Sequence, residues 1–255
     1  MAAGRDSPHG KPLADVVAAM QERLDGLPPS LESQRDFLDT YRRTTVAVGM
    51  AIEAAAFEDP AWVERWDVAF AQLYLDALDG ASQGSAAVPR PWRLAFTASP
   101  SLPPLRRVLL GINAHINYDL PQALLAVISD EDFTDPRTMA RRHRDHAKID
   151  SVLSGRVAAE DAELESTSSV SVLDRALRPL NRMASRRFLQ EARVKVWLNT
   201  AELQRARLAG PGEYAARLAE LEVLSAAKVA ELTAPGQVLL RLAVSGFGMV
   251  LPPPR

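Results

Sequence analysis

Four short polar side chains interrupt an apolar helical stretch near the middle of the chain: Asn113, His115, Asn117 and Asp119. At 100° per residue, His115 and Asp119 lie one turn apart on one helix face. The two asparagines lie one turn apart on another face, roughly 160° away. Because apolar residues fill the arcs between these faces, we expect a buried helix, in which an unpaired polar group costs about 1–3 kcal/mol. This stretch is therefore the predicted functional centre.

The spacing of His115 and Asp119 favours acid–base chemistry. One turn of helix lets the carboxylate orient the imidazole, and the two form the predicted catalytic pair. The same spacing also suits shared binding of one ion, and His146 with Asp150 repeats it. If the two helices pack antiparallel, these four side chains could hold a divalent metal. The arginines beside His146 indicate a solvated face that repels cations, so a hydrogen-bonded buried network is the competing interpretation, and no cofactor is required by the sequence.

Aromatic residues recur every four positions in an earlier helical stretch, from Trp62 to Tyr74. This stripe is typical of core packing, and a ligand platform is the alternative. The predicted contacts of a small-molecule substrate combine the polar neighbours of His115 with the nearest aromatic and acidic side chains: Asn113, Asn117, Tyr118, Trp66, Asp67, Tyr74 and Trp92.

The composition argues against several classes of protein. The 255 residues carry a formal net charge of −2, whereas nucleic-acid binders usually have a basic surface. Cysteine is absent, which excludes disulfides, thiolate nucleophiles and cysteine-bound metals. No apolar stretch reaches the ~18 residues of a membrane span, and the polar N-terminal residues do not resemble an export signal. We expect a cytoplasmic protein without nucleic-acid or membrane partners, and a homo-oligomer stays open.

The periodicity predicts an all-α fold with one domain. No segment alternates with a period of two, whereas apolar residues repeat at helical spacing along most of the chain. Residues 1–11 are predicted to be a disordered tail and residues 12–251 a multi-helix bundle around a buried central helix at about 105–120. That helix should end or kink near Pro121. The acidic, serine-rich stretch 155–171 is predicted to be a flexible excursion.

The string GINAHIN at 111–117, followed by DLP at 119–121, resembles an actinobacterial family that is known only as a domain of unknown function. The resemblance covers about residues 15–250. Shorter similar stretches lie at 66–74, 91–96 and 193–197. The resemblance implies an all-helical fold and a shared buried polar cluster, and it implies no particular activity. Tyr118 stands where the family string is expected to have a basic residue.

Two classes of function follow from these patterns. The first is a small-molecule enzyme of hydrolase, lyase or cyclase type, with His115 as acid, base or metal ligand and Asp119 as its partner; the family resemblance suggests specialised metabolism. The second is a non-catalytic helical binding or interaction protein whose polar cluster is structural. A pocket beside His115 would favour the first class, and a fully packed cluster would favour the second.

Overall fold

The predicted helices account for most of the chain. The computed structural model describes residues 12–165, 172–234 and 246–253, and no strand occurs in these ranges, so the all-α prediction is confirmed. The predicted tail at 1–11 lies outside the described residues. A short 3-10 helix spans Pro29–Gln34. The α-helices are α1 Leu13–Asp25, α2 Arg35–Glu53, α3 Pro60–Ser82, α4 Arg90–Phe96, α5 Pro104–Ala114, α6 Leu120–Val127, α7 Asp130–Thr134, α8 Pro136–Glu165, α9 Val172–Ala209 and α10 Pro211–Thr233.

The predicted central helix is confirmed as a continuous run of α5, a π-helical turn at His115–Asp119 and α6. The N–H of Leu120 bonds the carbonyl of His115, five residues earlier. The sequence predicts an end or a kink near Pro121, which has no N–H to give to the carbonyl of Asn117, and the structure has the wider turn directly before it. The run contacts α2, α3, α4, α9 and α10, which places it at the centre of the bundle.

Helix α3 supplies the aromatic wall that faces the central run. Asp59 caps its N-terminus by accepting a hydrogen bond from the N–H of Trp62 at 3.0 Å, and Pro60 occupies the first turn. Its side chains at four-residue spacing are all buried: Trp62, Trp66, Phe70 and Tyr74. Core packing was therefore the right interpretation of this stripe.

Helix α8 differs from the prediction in its length and in its exposed face. It runs to Glu165, so residues 155–165 are helical rather than an irregular excursion, and residues 166–171 lie outside the described part. Its arginine-rich stretch was expected to be solvated, but Arg142, Asp145 and His146 are buried. None of the described helices is long and apolar enough to cross a membrane.

Opposite charges on neighbouring helices explain that burial. Arg142 bonds the carboxylates of Asp59 and Asp132, and its guanidinium lies 4.8 Å from the ring centre of Trp62. Asp145 accepts hydrogen bonds from the main-chain N–H groups of Glu58 at 2.7 Å and Asp59 at 2.9 Å. Helix α8 is thereby fixed to the start of α3.

Candidate functional site

His115 and Asp119 form the buried pair that their spacing predicts. Nδ1 of His115 lies 2.8 Å from Oδ2 of Asp119, and the two side chains are 5% and 2% exposed. Nε1 of Trp92 donates a hydrogen bond to the same carboxylate oxygen, also at 2.8 Å. Helix α4 therefore contributes directly to the pair, and the carboxylate fixes the orientation of both rings.

Aromatic side chains from three helices surround the imidazole. It stacks on Phe70, with ring centres 3.5 Å apart and planes at 5°, and meets Tyr41 edge-on at 4.6 Å. Three more ring centres lie within 6.2 Å of it. We call this group of five the His115 enclosure: Phe37, Tyr41, Phe70, Tyr74 and Trp92.

Several polar atoms in and beside the enclosure lack partners. Among the described residues, no group bonds Nε2 of His115, Oδ2 of Asp67 or the hydroxyls of Tyr41 and Tyr74, although all four atoms are buried. Asp67 and Tyr74 are close enough to Tyr41 for their charges to raise the pKa of its phenol, after the larger effect of burial. Buried polar atoms in native proteins are nearly always paired, so this grouping calls for an explanation.

Burial controls the ionisation of the site. It raises the pKa of Asp67 to about 7. It also raises the pKa of Asp119 well above its ordinary value, an effect that the hydrogen bond from Trp92 partly opposes, and it lowers the pKa of His115. The imidazole is therefore neutral. If Nδ1 is assigned the hydrogen that bonds Asp119, Nε2 keeps a free electron pair and can accept a proton.

A family model for a family of unknown function, DUF5995, matches residues 13–235. The chain belongs to this family. The matched range includes the central run and every residue of the His115 enclosure. Comparisons with curated proteins and with solved structures found no match.

The two predicted substrate-binding asparagines bond protein main chain in this family member. Nδ2 of Asn113 and Nδ2 of Asn117 both donate to the carbonyl of Phe247, at 3.1 and 3.2 Å. Asn117 also donates to the carbonyl of Asn113 and accepts from the N–H of Met249. The structure therefore separates them from His115: their helix face is covered by residues near the C-terminus.

Tyr118 and Trp66 also lie outside the enclosure. Tyr118 belongs to a second, smaller apolar cluster with Leu125, Leu203, Leu221, Met249 and Leu251. Trp66 packs on Trp62, Phe70 and His146. Of the predicted substrate contacts, the structure thus places Tyr74 and Trp92 beside His115, whereas Asp67 lies near Tyr41. Phe37, Tyr41 and Phe70 were not predicted as neighbours of the imidazole. The available signals are the four-residue spacing of Phe37 and Tyr41 on α2 and the place of Phe70 in the aromatic stripe of α3.

The proposed four-ligand metal set is not assembled among the described side chains. No three His, Asp or Glu side chains there are grouped as ligands of one ion. His146 lies between the rings of Trp66 and Trp197, whereas His115 stacks on Phe70. The side chain of Asp150 lies outside the described part of the structure.

Three surface cavities in the described residues, of about 600, 540 and 510 Å³, are not lined by His115 or Asp119. Arg207 lines the first, Arg42 the second and Arg107 the third. The side chain of His115 is 5% exposed and aromatic rings surround it, so a ligand that reaches it must displace part of the enclosure.

Proposed function

We propose that this family member is an enzyme that carries out acid–base chemistry on a small organic molecule at His115. The observation that carries the proposal is the buried pair of His115 and Asp119, in which Nε2 of His115 has no partner and the neighbouring rings of Tyr41 and Tyr74 carry buried hydroxyls that also have none. In a purely structural core, buried atoms without partners lower the stability of the fold, whereas a bound substrate would give them hydrogen-bond partners.

The π-helical turn supports the same assignment. π-Helical residues are rare, and short π-turns inside α-helices are frequent at functional sites. Here the turn carries both members of the His115–Asp119 pair. Within this turn Asp119 contacts both Nδ1 of His115 and the indole N–H of Trp92.

The chain's own groups suggest a division of labour. With the hydrogen of His115 on Nδ1 and bonded to Asp119, the free electron pair of Nε2 would accept a proton from the substrate. Asp67 lies near Tyr41, and burial raises its pKa to about 7, so this carboxyl would return a proton or bind a substrate oxygen beside Tyr41. The aromatic walls favour a substrate with a flat or apolar body. Access requires the enclosure to open, and the seven-residue helix α4 that carries Trp92 is its shortest wall.

The reaction class within this proposal is a hydrolase, lyase or cyclase type. A cytoplasmic role in actinobacterial specialised biosynthesis is part of the same proposal, and it rests on the composition and the family resemblance alone. A small organic molecule is the proposed partner, with no part for nucleic acid or membrane.

Tight packing favours a second candidate function. The side chains of His115 and Asp119 are almost completely buried, which also fits a non-catalytic helical binding protein with a structural polar cluster. The variant His115→Phe separates the two functions because it keeps the ring stack on Phe70 and removes both nitrogens.

The test incubates the purified full chain with a small-molecule extract and follows consumption of its components by mass spectrometry. The enzyme proposal expects a compound that wild type consumes and His115→Phe does not, with melting temperatures within a few degrees of each other. Tyr118→Phe, in the second apolar cluster, serves as the control and should keep the activity. A large loss of stability in His115→Phe, with no compound consumed by wild type, would favour the structural candidate.

A further inference from the structure

Two asparagine side chains hold the segment 246–253 by its main chain. Asn117 donates through Nδ2 to the carbonyl of Phe247 and accepts at Oδ1 from the N–H of Met249, both at 3.2 Å. Asn199 on α9 donates to the carbonyl of Met249 at 2.9 Å and accepts from the N–H of Leu251 at 2.8 Å. Each amide thus takes up one C=O and one N–H of the segment, as a neighbouring β-strand does.

Side chains from three helices also bond the carbonyls of Phe247, Gly248 and Pro252, the first of which is shared with Asn117. Asn113 donates to Phe247 O at 3.1 Å, Lys195 Nζ to Gly248 O at 2.9 Å and Arg217 to Pro252 O at 2.6 Å. Main-chain groups are the same in every sequence. These bonds therefore recognise an extended conformation rather than particular side chains, as in other sites that bind extended peptides.

The side chains of the segment supply the sequence preference. Phe247, Met249 and Leu251 are buried, whereas Val250 is 41% exposed. Burial alternates from Met249 to Pro252, as in an extended chain with one face in a groove, and Gly248 is buried as well. Gly248 packs closely against α9, since a Cβ there would lie 2.9 Å from Cδ of Lys195 and 3.2 Å from Cα of Ala192. The groove therefore fits the pattern apolar–Gly–apolar–x–apolar.

The groove and its occupant are separate parts of the chain. The groove residues lie inside the range 13–235 that matches the family model, and the segment lies outside it. The segment has no regular secondary structure of its own, and the bonds described above join it to the helices. A segment held in this way can detach without breaking a helix.

We propose that the groove lined by Asn113, Asn117, Lys195, Asn199 and Arg217 is a peptide-binding site. The segment 246–253 is its resident ligand, and an extended peptide of a partner protein with the pattern apolar–Gly–apolar–x–apolar displaces it. This inference stands on the groove contacts and is independent of the acid–base role of His115.

The first experiment uses a fluorescently labelled peptide with the sequence of residues 246–253, GFGMVLPP, and measures its anisotropy as full-length protein is added. Phe247→Asp in the protein weakens the resident segment, so this variant should bind the peptide at least tenfold more tightly than wild type. Adding Asn199→Ala to that variant should weaken binding at least tenfold. A peptide with Ala at the position of Gly248 should bind at least tenfold more weakly, whereas Ala at the exposed position of Val250 should leave binding unchanged.

The second experiment needs no variant, because Phe247→Asp could unfold the protein. Hydrogen exchange of the wild-type chain should release the N–H groups of Met249 and Leu251 at least tenfold faster than those in the middle of α3. An excess of the unlabelled peptide should increase their exchange further. Exchange of both groups only at the rate of global unfolding, unaffected by the peptide, would overturn the proposal. So would equal binding of the Gly248 and Val250 peptide variants.

Discussion

Gly111 lies directly against the ring of Phe37. A Cβ at position 111 would fall 2.6 Å from Cδ2 of that ring, closer than side chains pack. Phe37 is one wall of the His115 enclosure, so the glycine lets α5 approach α2 closely enough to complete it. We predict that Gly111→Ala lowers the free energy of unfolding by about 1–3 kcal/mol through overpacking. Urea denaturation of the full chain measures this.

The control for this prediction is Gly212→Ala in the first turn of α10. A Cβ there meets no atom within 4 Å, and alanine restricts the unfolded chain more than glycine does. This variant should match wild type or gain up to about 1 kcal/mol. Equal effects of the two substitutions would contradict the close contact with Phe37.

The bond between His115 and Asp119 predicts an energetic coupling. In a double-mutant cycle with His115→Ala and Asp119→Ala, the double variant should lose less stability than the sum of the single losses, by about 1–3 kcal/mol. The reason is that either single substitution already removes the shared hydrogen bond. A cycle that pairs Asp119→Ala with His143→Ala is the comparison, because His143 stacks on Trp197 instead. Additivity within about 0.5 kcal/mol is expected there, and the same result for His115 would be evidence against the coupling.

The central run could be predicted because residues close together in the sequence determine its structure. Helical periodicity indicated α5, the one-turn spacing indicated the His115–Asp119 bond, and Pro121 indicated an end or a kink of the helix, next to which the π-helical turn lies. Some neighbours of the imidazole were not predictable in this way. Phe37, Tyr41 and Phe70 come from other helices, and the period of each helix says which of its faces is buried but not which ring it meets.

Two further errors have a common cause in long-range pairing. The arginines of α8 suggest a solvated face by residue type, yet Arg142 is buried because Asp59 and Asp132 on other elements neutralise it. Asn117 suggests a substrate contact, yet its amide bonds the segment 246–253, more than a hundred residues away in the sequence. In both cases the partner that decides the role is remote in sequence.

The raised pKa of Asp67 leads us to expect a loss of stability as the pH rises. Its pKa is about 7 in the folded protein against an ordinary value of 3.8, so only the folded chain keeps this proton between about pH 4 and pH 7. The free energy of unfolding contributed by this group therefore falls across that window, by about 4 kcal/mol in total. Asp67→Asn keeps the shape and cannot ionise. It should match wild type at pH 4 and exceed its stability at pH 8, as measured by urea denaturation. A difference of the same size at both pH values would show that ionisation of Asp67 is not its cause.

The lowered pKa of His146 leads us to expect that stability rises with pH in the acidic range. Burial, with smaller effects from the charges of Arg193 and His143, lowers its pKa to about 3, whereas an unfolded histidine titrates near 6.5. Between these values the unfolded chain binds a proton that the folded chain does not, so stability falls as the pH drops from about 6.5 towards 3. Over this whole pH range the free energy of unfolding falls by about 5 kcal/mol.

His146→Gln should flatten this part of the stability profile, measured by urea denaturation at half-unit pH steps. His143→Gln is the matched control one turn away, and its effect should be smaller because that ring is exposed. Equal flattening by the two variants would refute a special role for the burial of His146 between Trp66 and Trp197.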